Sequence, residues 1–198
     1  MKTNPKAKGM STEKLVLISV LTALVAILAY FGGFIKIGGL ASISLTLIPV
    51  VLGAALCGPL TGAWLGGVSG AVFFMTADAA YWMGLHAFGT IVTVMIKAIA
   101  AGLAAGLVYK ALARFNRYLA VMAAAIVCPI VNTGIFLIGC LIFFLDTVRL
   151  GALAEGLSVG GYLIIVFVGL NFVFELLSNI IFSPAIVRLL DFKLGKKK

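Results

Sequence analysis

The sequence predicts an all-α integral membrane protein, folded as a six-helix transmembrane bundle with both termini in the cytoplasm. Of its 198 residues, 63% are hydrophobic and 11% are charged, whereas an average soluble domain has about 45–50% apolar and about 25% charged residues. The apolar runs approach the roughly 20 residues that a helix needs to cross a bilayer. The basic residues cluster outside these runs. Together these observations exclude a soluble globular fold.

The spans follow from the breaks in the apolar runs. Backbone groups in a bilayer must bond internally, which leaves helices or closed barrels, and the runs are too long for barrel strands. Glycine, proline and charge divide the chain into one transmembrane domain, 14–190, between cytoplasmic tails at 1–13 and 191–198. The first run lacks a signal-peptide cleavage pattern and is therefore predicted to remain as a span. The predicted spans are 14–31, 41–57, 60–76, 88–109, 118–145 and 162–190.

The distribution of lysine and arginine predicts the orientation. Lys36 and Arg149 fall on the outer side and Lys97 falls within a span, while the rest of the fifteen basic residues fall on one side. The positive-inside rule makes that side cytoplasmic, and an even number of spans places both termini there. Topology accounts for the basic charge, so no nucleic-acid partner is expected. The residues predicted to be cytoplasmic are Lys2, Lys6, Lys8, Lys14, Lys110, Arg114, Arg117, Arg188, Lys193, Lys196, Lys197 and Lys198.

The sequence contains no pattern typical of an enzyme or a metal site. The three cysteines, Cys57, Cys128 and Cys140, are odd in number and lack C-x-x-C spacing, so they indicate neither a disulfide framework nor a metal site. His86 has no partner at the spacing of metal ligands and is therefore expected to be a loop residue. Phosphate-binding and nucleophile motifs do not occur. We expect no metal and no cofactor in this chain. If ATP drives its activity, another chain must hydrolyse it.

Small residues predict close packing between helices. Gly58, Gly62, Gly66 and Gly70 repeat every four residues and form a groove along one helix face. The fourth span repeats the pattern with Ala98, Gly102 and Gly106. We expect neighbouring helices to approach very closely along these faces.

Two charges lie within predicted spans. A charge near the bilayer centre costs on the order of 2.5–3.5 kcal/mol on insertion scales, so Lys97 and Glu175 should face the bundle interior. Both lie about ten residues from the outer surface, or roughly 15 Å deep. Asn132 lies midway along the fifth span, and Asn171 lies one turn from Glu175. These groups either bond the helices together, with a Lys97–Glu175 ion pair, or line a cavity that opens outward; Asn179 lies deeper and favours the structural role.

The predicted outer segments are long and chemically mixed, and include "ADAAYWMGLHAF" and "DTVRLGALAEGLSVGG". Such loops can form a recognition surface, although aromatic residues also concentrate at membrane interfaces. Tyr81 and Trp82 are therefore either interfacial residues or ligand contacts from an outer loop.

The stretches "LTLIPVVLGAALCGPLTGAWLGGVSG", "GTIVTVMIKAIAAGLAAGLVYKAL" and "NFVFELLSNIIFSPAIVRLL", in this order, resemble the substrate-binding S components of energy-coupling factor (ECF) vitamin transporters. The resemblance covers 14–190. It implies a six-helix bundle in the cell membrane that captures a vitamin near the outer face and docks on a coupling subunit carrying two ATPases. Family members dock partly through A-x-x-x-A on the first helix. The corresponding residues here are Ser19-x-x-x-Ala23 and Thr22-x-x-x-Ala26.

The substrate stays open at this point. Family members bind riboflavin, folate, thiamine or pantothenate; Lys97 would favour a carboxylate, and Tyr81 with Trp82 would favour a flat ring. One alternative function is a stand-alone secondary transporter in which Glu175 carries a coupling proton. A membrane-embedded enzyme is disfavoured because no nucleophile, base and orienting group can be assembled.

Overall fold

The computed structural model describes residues 11–32 and 45–195. Within these ranges the chain is almost entirely helical and contains no strand. A six-residue π-helical stretch, Leu163–Val168, connects the last two α-helices. The helices are α1 (Thr12–Gly32), α2 (Leu47–Cys57), α3 (Pro59–Phe73), α4 (Ala77–Leu112), α5 (Arg117–Phe143), α6 (Leu145–Ala154), α7 (Val159–Tyr162) and α8 (Gly169–Gly195).

Several of the described helices are long and apolar enough to cross a membrane, which confirms the predicted all-helical membrane class. They are α1, α4, α5 and the Phe172–Phe192 part of α8. A bent pair, Leu145–Ala154 with Val159–Val166, could form a fifth crossing, although its two parts meet at 92°. The shorter α2 is also apolar. The count of six spans stays a prediction, and the 33–44 segment with Lys36 lies outside the described residues.

The first half of α4 corrects the predicted loop at 77–88. The side chain of Thr76 caps this helix by accepting a hydrogen bond from the Ala79 amide at 3.4 Å, and Asp78 lies in the first turn. A carboxylate at this position interacts favourably with the helix dipole. Tyr81 and Trp82 are therefore helical residues rather than loop residues.

The second predicted outer segment also contains a helix, α6, with Asp146 in its first turn. Its end has the two hydrogen bonds of a Schellman motif, from the Leu157 amide to the Ala152 carbonyl (2.8 Å) and from the Gly156 amide to the Leu153 carbonyl (3.2 Å). Gly156 has a φ of 65°, which suits glycine. The predicted loop is thus a capped helix followed by a tight turn.

The predicted glycine ridges pack directly against each other, which confirms close helix approach. A Cβ added to Gly66 would overlap the backbone oxygen of Ala98, and one added to Gly102 would overlap the backbone oxygen of Gly62. The α3 and α4 backbones are therefore in contact, and a side chain at these positions has no room.

Buried apolar residues form two clusters among the described residues. The larger one joins α1, α2, α3, α4, α5 and α8 through residues such as Leu21, Val51 and Leu65. The smaller one joins the start of α4, the end of α5, α6 and α7 around Trp82, Phe144 and Tyr162. The polar residues predicted within spans lie along α4, α5 and α8, which contribute to these clusters.

Candidate functional site

A polar cleft lies among α2, α3, α4 and α5. Its volume is about 40 Å³, which is enough for a few water molecules. Pockets for drug-sized ligands usually span about 300–1,000 Å³, so the cleft accommodates one group of a small molecule rather than a whole one. The lining residues are Thr46, Leu47, Val50, Gly66, Ser69, Gly70, Phe73, Val94, Lys97, Ala98 and Asn132.

Lys97 is the charged residue of the cleft lining. Its ammonium lies over the ring of Phe136, 4.8 Å from the centroid, which is a favourable cation–π distance. Glu175 also lies close enough to interact with Lys97 electrostatically. The structure therefore brings Lys97 and Glu175 near each other, an arrangement that the similar depth of the two residues allows.

Asn132 contributes an amide to the same cleft. The residue is only 7% exposed, and its side chain forms no hydrogen bond with any residue in the described ranges. Buried polar groups are nearly always hydrogen-bonded. The Asn132 amide is thus a buried group whose donor and acceptor atoms are free to meet a molecule in the cleft.

Thr46 and Ser69 were not singled out by the sequence analysis, yet both line the cleft. The Ser69 hydroxyl donates to the Thr46 Oγ1 at 3.2 Å. This bond links the residue before α2 to α3. Isolated Ser and Thr in apolar runs give no signal of function, because their hydroxyls usually bond to the backbone of their own helix.

Glu175 is 6% exposed and lies on α8 outside the cleft lining. One turn further along, the Asn179 amide nitrogen donates to the Glu175 backbone oxygen at 2.8 Å. The Asn179 side-chain oxygen is buried without a hydrogen bond to the described residues. The side chain of Asn171 lies outside the described residues, so its predicted role stays a prediction.

Trp82 lies in the smaller apolar cluster and is 7% exposed. Its indole meets the rings of Phe136, Phe144 and Tyr81 at centroid distances of 5.6, 5.2 and 5.6 Å. Tyr81 is exposed. Neither residue lines the polar cleft, and Trp82 is largely occupied by packing.

A break in α4 separates Trp82 from Lys97. His86 has non-helical dihedrals (φ −160°, ψ 92°), and its Nδ1 accepts a hydrogen bond from the Gly89 amide at 2.8 Å. The hydroxyl of Thr90 contacts the carbonyls of Trp82 and His86 at 2.8 and 3.0 Å. These side chains satisfy backbone groups that the break would otherwise leave unbonded. His86, predicted as a loop residue, thus acts as a cap inside a helix.

The described residues contain no cluster of three His, Cys, Asp or Glu side chains that could hold a metal ion. The arrangement can do one thing chemically: present an ammonium, an amide and hydroxyl groups in a narrow cleft inside an apolar helical bundle. Such a site binds a polar group without the groups needed for bond cleavage.

The family comparison identifies the class of protein. The family model described as "ECF transporter, substrate-specific component" matches residues 13–190. The chain belongs to this family. Comparisons with curated proteins and with solved structures return no significant match. This S component is therefore a multi-pass membrane protein and a substrate-binding transport subunit, not an enzyme.

The S component presents two small-residue pairs on α1, and the structure distinguishes them. Ser19 and Ala23 are both exposed, and the Ser19 hydroxyl bonds to the Leu15 carbonyl of its own helix at 3.0 Å. Thr22 and Ala26 are partly buried, and Thr22 Oγ1 accepts a hydrogen bond from the Trp64 indole nitrogen of α3 at 3.2 Å. The second pair is therefore engaged within the chain, whereas the first is open.

Proposed function

We propose that this chain captures a water-soluble vitamin or related micronutrient at the outer face of the cell membrane and delivers it through an ECF coupling subunit carrying two ATPases. The observation that carries the proposal is the polar cleft with Lys97 and Asn132 in a chain of this family. The Asn132 amide has no hydrogen-bond partner among residues 11–32 and 45–195, and a buried amide left unbonded is costly unless a ligand or water bonds to it. Substrate capture gives these groups a role.

The proposed topology has six spans, formed by α1, α2, α3, α4, α5 and α8, with both termini in the cytoplasm. Arg114 in the turn between α4 and α5, and Arg117 at the start of α5, support this orientation. Arg117 also forms an ion pair with Asp191 near the end of α8 at 3.4 Å. That contact is consistent with the end of α8 on the same side as the α4–α5 turn.

The proposed substrate site has Lys97 and Asn132 at its centre. Glu175 adds a buried carboxylate that interacts with Lys97. Asn171 precedes Glu175 by one turn of the same helix. Tyr81 is proposed as an outer contact, and Trp82 is proposed to act mainly by packing on Phe136, whose ring contacts Lys97.

The proposed docking surface for the coupling subunit is the exposed face of α1 with Ser19 and Ala23. Helices in lipid associate through close backbone approach, which small residues permit. Thr22 and Ala26 are proposed to play a lesser part because Thr22 bonds to Trp64 within the chain. ATP hydrolysis is assigned to the partner subunits.

The test is to purify the chain in detergent, identify co-purifying vitamins by mass spectrometry, and then titrate a vitamin panel by calorimetry. The proposal expects one compound to bind with a micromolar or lower Kd. If the folded protein binds no member of the panel more tightly than millimolar, the capture proposal is wrong.

A stand-alone proton-coupled transporter is the second candidate, favoured by the burial of Glu175 within an apolar helix. Intramembrane carboxylates often carry protons in such transporters. Uptake by the chain alone under a pH gradient would support this candidate.

A further inference from the structure

We propose that the polar cleft binds a carboxylate group of the substrate, with the Lys97 ammonium and the Asn132 amide as its donors. This inference rests on the proposed function, because it assigns a chemical class to the captured molecule. A carboxylate is small enough for a cleft of about 40 Å³, whereas the remainder of a vitamin would extend beyond it.

The charge of the cleft supports an anion. Among the described lining residues Lys97 carries a positive charge and none is acidic. Glu175 supplies a counter-charge to the ammonium from outside the lining. The face of Lys97 that lines the cleft is therefore available to an anionic partner.

The hydrogen-bonding capacity of the cleft supports an acceptor. Lys97 has up to three N–H donors and no acceptor, and over the described ranges its ammonium makes a ring contact with Phe136 but no hydrogen bond. The Asn132 amide, more than nine-tenths buried, also lacks a hydrogen-bond partner in this part of the chain. An ionised carboxylate is acceptor-only and can receive several such bonds.

The hydroxyl pair extends the donor set. Ser69 donates its proton to Thr46 Oγ1, which leaves the proton of the Thr46 hydroxyl as a further donor. Thr46 is itself buried. The cleft thus combines one ammonium, one amide and one hydroxyl as donors. An ionised carboxylate can accept from all three, whereas an uncharged amide group on the ligand carries no negative charge to pair with the ammonium.

The size of the cleft argues against a flat ring as the group bound inside it. Gly66, Gly70 and Ala98 line the cleft where α3 and α4 are in close contact. Phe73 is an aromatic residue of the lining, whereas Trp82 lies outside it and is packed between Phe136 and Phe144. A volume of about 40 Å³ fits a planar carboxylate of three heavy atoms better than a ring.

The experiment compares carboxylates with their uncharged analogues. Calorimetry on the purified full chain would use nicotinate and nicotinamide, pantothenate and pantothenol, and biotin and biotin amide, together with folate, riboflavin and thiamine. We expect the tightest ligand to bear a carboxylate and its neutral analogue, or for folate its diamide, to bind about 30-fold more weakly, as a charge-assisted hydrogen bond would produce.

The variant Lys97→Met should remove this discrimination: the affinity for the carboxylate falls to about that of its neutral analogue, which itself changes less than about threefold. Lys110→Met, an exposed lysine at the far end of α4, is the matched control and should bind like the wild type. If Lys97→Met does not fold, the comparison of acid with neutral analogue on the wild type decides alone.

Two results would overturn the inference. If riboflavin or thiamine is the tightest ligand, or acid and neutral analogue bind equally, the carboxylate assignment is wrong while substrate capture stands. If the folded protein binds nothing in the panel, capture and the carboxylate assignment fail together.

Discussion

The ammonium of Lys97 lies 4.8 Å from the centroid of the Phe136 ring, and this ring meets the indole of Trp82 edge-on at 5.6 Å. The Lys97 ammonium in the cleft is thereby connected, through Phe136, to the aromatic cluster around Trp82. Glu175 interacts with the same ammonium from α8. Lys97 thus connects the polar cleft with the aromatic cluster around Trp82 and with α8, and we expect a substitution at any one of these to affect the other two.

Replacing Glu175 with Gln should destabilise the ligand-free protein, because it removes the counter-charge of a buried ammonium. We expect a loss of about 1–3 kcal/mol, or several degrees in thermal unfolding in detergent for a protein of this size. The double variant Lys97→Met/Glu175→Gln should recover part of the loss, since the interaction is then absent from both sides. An unchanged Tm for Glu175→Gln with abolished vitamin binding would instead assign the carboxylate to the ligand.

Replacing Gly66 with Ala should destabilise the bundle. The added Cβ would overlap the Ala98 backbone oxygen, so α3 and α4 must separate, at a cost of about 1–3 kcal/mol. Gly134→Ala is the matched control, because its added Cβ would meet no atom of another described helix within 4 Å. Thermal unfolding should show a lower Tm for the first variant and an equal or higher Tm for the second, and equal losses for both would contradict the tight α3–α4 contact.

Replacing Ala23 with Trp should prevent assembly with the coupling subunit and leave vitamin binding intact, because a large side chain blocks close approach at the exposed face of α1. Ile138→Trp, at a position on α5 that is also exposed, serves as the control and should assemble normally. Co-purification with a tagged coupling subunit measures assembly, and calorimetry measures binding. Normal assembly of Ala23→Trp would remove this face from the docking surface.

Replacing His86 with Ala should destabilise the outer part of α4. The change removes the acceptor of the Gly89 amide, and loss of such a cap costs about 0.5–2 kcal/mol. His86→Asn, which can accept the same bond, should retain most of the stability. Hydrogen exchange of the amides after the break provides the measurement; equal protection in both variants would show that the imidazole does not cap the helix.

The sequence predicted the all-helical membrane class and the close approach of α3 and α4, because these follow from long apolar runs and four-residue glycine spacing; the count of six spans stays a prediction. It misplaced the outer segments because charged and aromatic residues were interpreted as loops, although Thr76 and Asp78 already carried the signal of a helix start. The break at His86 has no such signal in the sequence, because a single non-helical residue does not change the local amino-acid composition.

The candidate site was predicted in part. Lys97 and Asn132 were expected to face the interior because polar groups in a bilayer are costly, and both line the cleft. Thr46 and Ser69 could not be distinguished from ordinary helix hydroxyls until the fold brought them within 3.2 Å of each other. Trp82 was expected to be a surface or ligand residue, yet its burial depends on aromatic residues more than fifty positions away in the sequence.

Uptake of radiolabelled vitamin by proteoliposomes tests the central claim most directly. The vitamin would be the compound identified by calorimetry, and the vesicles would contain either this chain alone or this chain with the coupling subunit and two ATPases. We predict uptake only by the complete assembly, and only when ATP is supplied on the side of the membrane where the ATPases lie. Uptake by the chain alone, driven by a pH gradient and abolished by Glu175→Gln, would contradict it and identify a proton-coupled transporter.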